Sequence, residues 1–271
     1  MRRLVAVGSL SGAPGVTALT LSLAAAWPTA QGGSQPVLVE ADVSGGDLAT
    51  RFELPENEGL LMLAAGARRD SVGKELEACA LQAPGSLRVV VAPSGAEQAA
   101  SCVAEIASCL HALRGGEADE GVVLLDLGRL TEGPSRHLAR AADRLVIVCR
   151  GRAEPLVHVA VRGEWLAEVQ AELVVMGPCS YPQVEIAEAL KVRRERVHLL
   201  GWDTRVAAAL DGRGRVGRRR WRRSPLTSGA RVLAARLVGA DEDVTGKAGG
   251  ELAQLAGRAW PSAATAVGEE R

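Results

Sequence analysis

Short runs of branched apolar residues recur along the chain: Leu4 to Val7, Val37 to Val39, Leu87 to Val91, Val122 to Leu125, Leu145 to Val148, Leu173 to Val175 and Val197 to Leu200. Each run is apolar at consecutive positions rather than at alternate ones, so both faces of each strand are expected to be buried, as in a parallel sheet. Between the runs, apolar positions return at helical spacing. They predict helices near 17–27, 59–66, 96–113, 134–142, 155–169, 182–191 and 204–210. Strand and helix alternating in this way predict a doubly wound α/β fold, a mostly parallel sheet of about seven strands flanked by helices. Ligands of such sheets bind at the carboxyl ends of the strands. A last helix is expected from Ser224 to Val238, entered through Ser224-Pro225 with proline at the first helical position.

Composition narrows the class. Of 271 residues, 47% are apolar and only 3% aromatic, so the core has to be built from Leu, Val and Ala. No run of eighteen apolar residues is present to form a transmembrane helix. Met1-Arg2-Arg3 followed by apolar residues imitates a secretory leader, but Gly12, Pro14 and Gly15 interrupt the stretch, which reads instead as strand, loop and helix. Cys79, Cys102, Cys109, Cys149 and Cys179 are odd in number and contain no CxxC pair, so neither a disulfide framework nor a zinc site is expected, nor is haem. Cys102 and Cys109 are placed two turns apart on one helix face, as small core residues. A cytoplasmic location fits best. His111, His137, His158 and His198 are isolated and receive no role.

The formal net charge of zero conceals an asymmetry. Residues 1–189 carry 15 basic and 23 acidic side chains, and residues 190–236 carry 14 basic and 3 acidic. The second segment holds Arg213, Arg215, Arg218, Arg219, Arg220, Arg222 and Arg223 in a Gly-punctuated stretch expected to be a loop. Its blandest reading is a solvated loop, since Arg outnumbers Lys 29 to 3 throughout. The sharper one is a patch for phosphate backbone or another anion, with Trp221 available to stack or anchor. The domain is expected to span 1–240, and 241–271, rich in Gly, Ala and acidic residues, reads as a disordered tail with a weak helix near Leu252 to Ala259.

The first strand leads into Gly12-Ala13-Pro14-Gly15-Val16-Thr17-Ala18 and then a helix. A Gly-rich turn between strand and helix aims backbone amides and a helix N-terminus at an anion. Two other strands end in acid, at Glu40-Ala41-Asp42 and at Asp126. The Thr17 hydroxyl with the Asp42 and Asp126 carboxylates supplies the hard oxygens that hold Mg²⁺, or its waters, beside a triphosphate.

These segments together resemble the ParA/MinD family of deviant-Walker P-loop ATPases, with its septum-site and pilus-assembly (CpaE/TadZ-like) branches. Val5 to Trp27 resembles the phosphate loop and its helix. Glu40 to Leu48 resembles D-x-D-x-x-G-G-D-L, Val122 to Gly128 the Walker B strand, and Leu199 to Leu210 with Ser224-Pro225-Leu226 the closing strand and helix. The resemblance covers about 1–238. It implies the P-loop fold, ATP or ADP with Mg²⁺, a homodimer, and a protein partner in pilus assembly, secretion, division or chromosome partition. It also implies non-specific DNA binding through the basic C-terminal surface. A membrane is the weaker target, because Glu251 to Trp260 is neither basic nor strongly amphipathic.

The chain departs from the family's K-G-G-x-G-K-T at both lysines, which are Ser11 and Val16 here, and Pro14 removes a backbone donor from the loop. Gly177 stands at the place of a base-contacting asparagine, and Gly201-Trp202 at that of Ile-Pro. No residue is a firm catalytic candidate, Asp42 being the nearest to one. Removing one well-placed cationic or hydrogen-bonding donor costs about 10²–10³ in turnover. Weak or absent ATP hydrolysis is therefore expected. An active ATP-dependent switch on DNA or membrane, and a nucleotide-independent DNA adaptor, are the alternatives.

Overall fold

The computed structural model describes residues 1–12, 15–28, 35–68, 74–168 and 171–239. Ala13, Pro14 and the whole tail from 240 onward, including the expected helix near 252–259, lie outside them.

Eight strands form one sheet: β1 (Arg3–Ser9), β2 (Val37–Glu40), β3 (Leu81–Ala83), β4 (Leu87–Val90), β5 (Val122–Arg129), β6 (Arg144–Gly151), β7 (Ala171–Cys179) and β8 (Val197–Leu200). Their order is β3-β4-β2-β5-β1-β6-β7-β8, and every neighbouring pair is parallel except β3 with β4. The seven apolar runs are the seven parallel strands, as their double burial requires. Strand β3 is the addition. Three residues, Leu81-Gln82-Ala83, are too few to carry a periodic signal, and they pair as an antiparallel edge.

Two apolar layers sandwich the sheet. One face packs under the helices Leu60–Ala67, Ala96–Ser108, Pro134–Ala141, Ala153–Val161 and Gln183–Leu190. The other packs under Val16–Ala26 and Pro225–Val238, with Leu19, Leu23, Leu226, Leu233 and Leu237 at or below 1% exposure. Two expected helices are each broken once. Residues 96–113 divide at Cys109, whose φ of −125° and ψ of 61° leave the helical region; Cys109 therefore ends the helix, and it packs half-buried against the same apolar layer as buried Cys102. Residues 155–169 divide near Gly163, between Ala153–Val161 and Glu164–Glu168. All five cysteines are free, and burial pushes the Cys149 thiol up to about 12, so it stays protonated and inert.

The largest departure is in the basic segment. Arg218–Arg223 is a helix, not part of a Gly-punctuated loop. Trp221 packs its ring on the second apolar layer, and the Thr227 hydroxyl donates to the Trp221 carbonyl, so the short helix is docked from one side.

The far edge is tied by a buried polar group. His198 Nε2 on β8 lies 2.6 Å from Glu172 Oε2 on β7, and Arg236 Nε of the last helix lies 3.4 Å from the same carboxylate. Burial alone would raise the Glu172 pKa. The His198 hydrogen bond and the charges of His198 and Arg236 outweigh it and hold the carboxyl below its ordinary value of 4.5. A depressed folded pKa stabilises the fold above the unfolded value and loses that contribution as pH falls through the folded one. Glu172→Gln is therefore expected to destabilise the fold by about 1–3 kcal/mol at pH 7. It should also shrink the loss of stability on acidification below about pH 4.5, and thermal denaturation from pH 7 to pH 3 measures both effects.

Candidate functional site

Strands β2, β5 and β1 lie side by side, and their register aligns Val7 of β1 and Glu40 of β2 with Asp126 of β5. The three carboxyl ends therefore open at one level. From β1 the chain passes through Leu10, Ser11 and Gly12 to Gly15 and enters the helix Val16–Ala26. Leu10 is buried, and its carbonyl accepts from Arg162 Nη1 at 2.5 Å, which pins the start of the loop. Gly15 precedes the helix with φ 117° and ψ 0°, a conformation side chains rarely adopt. A Cβ there would lie 2.6 Å from Met176 Sδ and 3.2 Å from Trp202 Cζ3. The loop is thus walled on one side by Trp202, whose ring also lies 4.9 Å from the Arg150 guanidinium carbon.

The predicted site residues divide sharply. Val16 is 5% exposed and belongs to the apolar layer beneath the helix, and Ala18 is buried with it. Neither presents chemistry to the loop mouth. Thr17, half-buried, faces the Asp126 carboxyl: its hydroxyl is near enough to favour the ionised form without closing a hydrogen bond on Oδ2. Asp126 is 1% exposed; Oδ1 accepts from the Gly128 amide at 3.1 Å, while Oδ2 is buried with no partner among the described residues. Burial foremost, then the charges of Glu40 and Asp42, push Asp126 up to about 7 against the pull of Thr17 and Gly128. Asp42 folds back on its own turn, accepting from the Ser44 amide at 2.8 Å, and its carboxylate lies so close to Gly128 that any side chain there would overlap it. Arg129 does not pair with Asp126; it flanks Gly12 instead, its Cδ 3.9 Å from where a Gly12 Cβ would sit. Thr17, Asp42 and Asp126 are therefore brought together, and an unpartnered buried carboxylate oxygen among hydroxyl and carboxylate oxygens fits a hard divalent cation such as Mg²⁺. Among the described residues, no three His, Cys, Asp or Glu side chains cluster as a complete metal cage, so such an ion would need phosphate or water for its remaining ligands.

Two groups escaped the sequence reading. Glu40 looked like part of an acidic motif, but it is a structural clamp, 4% exposed. Its Oε1 accepts from the Asp47 and Leu48 amides at 2.8 and 3.1 Å, and its Oε2 from Ala92 at 2.9 Å. Arg150 and Trp202 were the other omission, because a cation stacked on a ring across two strand ends leaves no local signal. Gly177 lies beside them with φ 87°, where a Cβ would come 2.9 Å from Arg150 Nη1.

The architecture has clear counterparts. The MinD cell division ATPase of Pyrococcus furiosus superposes with a TM-score of 0.67 at 15% identity, covering 89% of this chain and all of that one. A ParA family ATPase from Chlorobium tepidum gives 0.65 at 13% identity, covering 87% and 98%. The chain carries the ParA/MinD fold. The septum site-determining protein MinD of Pyrococcus horikoshii, solved with Mg-ADP, gives 0.65 at 14% identity and covers 90% and 100%. No family model and no curated protein matches the sequence.

The basic segment forms a second feature. All seven arginines from Arg213 to Arg223 are exposed. Arg213 pairs with Asp211 at 2.5 Å and Arg220 with Asp203 at 3.2 Å, so five of the seven have no acidic partner among the described residues. Among those residues no helix is long and apolar enough to cross a membrane.

Glu40→Ala would strip three buried or half-buried amides of their acceptor. It is expected to cost about 3 kcal/mol or more, whereas Asp42→Asn, which touches one exposed amide, should cost under about 1 kcal/mol. Urea denaturation of the two variants separates the clamp from the loop acid.

Proposed function

We propose that this chain is a positioning or polarity scaffold of ParA/MinD type, one that recruits a protein partner with weak or no ATP hydrolysis. The observation that carries the reading is Val16, a buried apolar side chain where the family's loop has the lysine that meets the terminal phosphates. Ser11 stands in the place of the second lysine. Electrostatic stabilisation of developing charge is the largest contribution to phosphoryl transfer, and both lysines that would supply it are replaced. Thr17, Asp42 and Asp126 retain the oxygens that would hold Mg²⁺. The ion, when bound, would neutralise phosphate charge at the loop. What remains is a cradle suited to occupancy more than to turnover, and a homodimer and a partner from a division, partition, pilus or secretion assembly complete the proposal. The solved proteins of this fold include cell division and plasmid partition proteins, which favours that class of role.

Phosphate release with Mg²⁺ and ATP, with and without duplex DNA, tests this. The expected result is turnover indistinguishable from buffer. Turnover that disappears in Arg129→Gln would overturn the reading, because the exposed arginine beside Gly12 would then be supplying the missing charge.

A second reading is favoured by the five exposed arginines that have no acidic partner among the described residues: docking on duplex DNA without sequence preference. Each phosphate contact contributes about −0.9 to the log–log salt slope, so four or five contacts give roughly −4. Salt titrations on two unrelated duplexes should give the same slope, and Arg215→Gln with Arg218→Gln and Arg222→Gln should flatten it. No binding at low salt would remove DNA from the proposal.

A further inference from the structure

Beside the basic helix is a cavity of about 570 Å³ lined by Asp203, Gly217, Arg219, Arg220, Arg223 and Ser224. Its volume falls in the range of small-molecule sites, and it is broadly open to solvent. Three of the six lining residues are arginines, and Asp203 offsets only one of them: Arg220 Nη2 lies 3.2 Å from Asp203 Oδ1. Neither Arg219 nor Arg223 has an acidic partner among the described residues, so the cavity carries a net charge of about +2.

Ser224 makes this more than a charged surface. It is the N-cap of the fourteen-residue helix Pro225–Val238, the position where a serine hydroxyl ordinarily accepts from the first-turn amides. Here it makes no such bond. The residue is 2% exposed, and its Oγ is buried with no hydrogen-bond partner among the described residues. A buried hydroxyl left unpartnered costs stability unless a ligand completes it. The helix N-terminus, which favours negative charge, lies at the same spot. Neighbouring Asp203 is already used: its carboxylate caps the helix Thr204–Leu210 through the Arg205 and Val206 amides at 3.0 and 3.2 Å, which leaves the hydroxyl as the free polar group.

We infer that this cavity binds the dianionic phosphate of a small phosphomonoester, with Arg219, Arg220 and Arg223 around the oxyanion and Ser224 Oγ donating to it. The charge selects the ligand. A net of about +2 matches a phosphomonoester, which carries −1.5 to −2 at pH 7, and exceeds the single charge of a diester in a nucleic-acid backbone. The inference is independent of ATP occupancy at the loop and of DNA docking along the outer arginines.

Isothermal titration of the full chain at low salt with inorganic phosphate, ribose 5-phosphate and dimethyl phosphate tests it. The first two are expected to bind saturably with one site, and the monoanionic diester about tenfold more weakly. Ser224→Ala leaves every charge in place, so it should reduce phosphate affinity about tenfold, the usual consequence of losing a hydrogen bond to a charged group. Without ligand, its melting temperature should be unchanged or higher, because the hydroxyl has no protein partner to lose. The pair Arg219→Gln and Arg223→Gln should lose about a hundredfold or more, while Arg213→Gln with Arg215→Gln, outside the cavity, should stay within about twofold. The inference is overturned by any of four results: no saturable phosphate binding, unchanged affinity in Ser224→Ala, equal losses in the two arginine pairs, or binding of a duplex without binding of either monoester.

Discussion

The alignment of three neighbouring strands governs the rest of the molecule. Because β2 and β1 flank β5 with Glu40, Asp126 and Val7 at one level, their carboxyl ends converge without any loop having to reach far. A one-residue slip of β2 would turn Glu40 to the opposite face and abolish its hold on Asp47, Leu48 and Ala92. That hold in turn shapes the turn carrying Asp42, which meets Gly128 at the end of β5. Register, clamp and acid pair thus form one chain of causes running from the sheet to the loop mouth.

Parallel strands buried on both faces are conspicuous in a sequence because they need no partner information: Val122 to Leu125 or Leu145 to Val148 can be buried only in the middle of a sandwich. The carboxyl-end acids were legible for the same reason, since Asp126 interrupts an apolar run. Roles that depend on distant backbone were not. Glu40 reads as an acidic-motif residue until the amides it serves, one of them 52 residues away, come into contact with it. The valine at position 16 was visible in the sequence, but its burial was not, because the direction of the side chain is set by the apolar layer it joins.

The basic segment illustrates the opposite failure. Six residues with five arginines between glycine and serine have the composition of a solvated loop, and helix propensity alone would leave so short a piece unfolded. What orders it is a single aromatic ring seated on the apolar layer, with Thr227 holding the end of the helix. The arginines thereby acquire fixed positions relative to Ser224, which a mobile loop would not provide.

The pairing of the helices Val16–Ala26 and Pro225–Val238 has a consequence for the order in which the protein is made. The helix Val16–Ala26 leaves the ribosome long before Pro225–Val238, the last described helix, which packs on it. Until that helix emerges, the face of Val16–Ala26 that it covers is open to water, and the contacts that close it span nearly the whole domain. The loop's platform is therefore completed only when synthesis of the domain is almost over, and a nascent chain stalled before Pro225 would present this apolar face to chaperones.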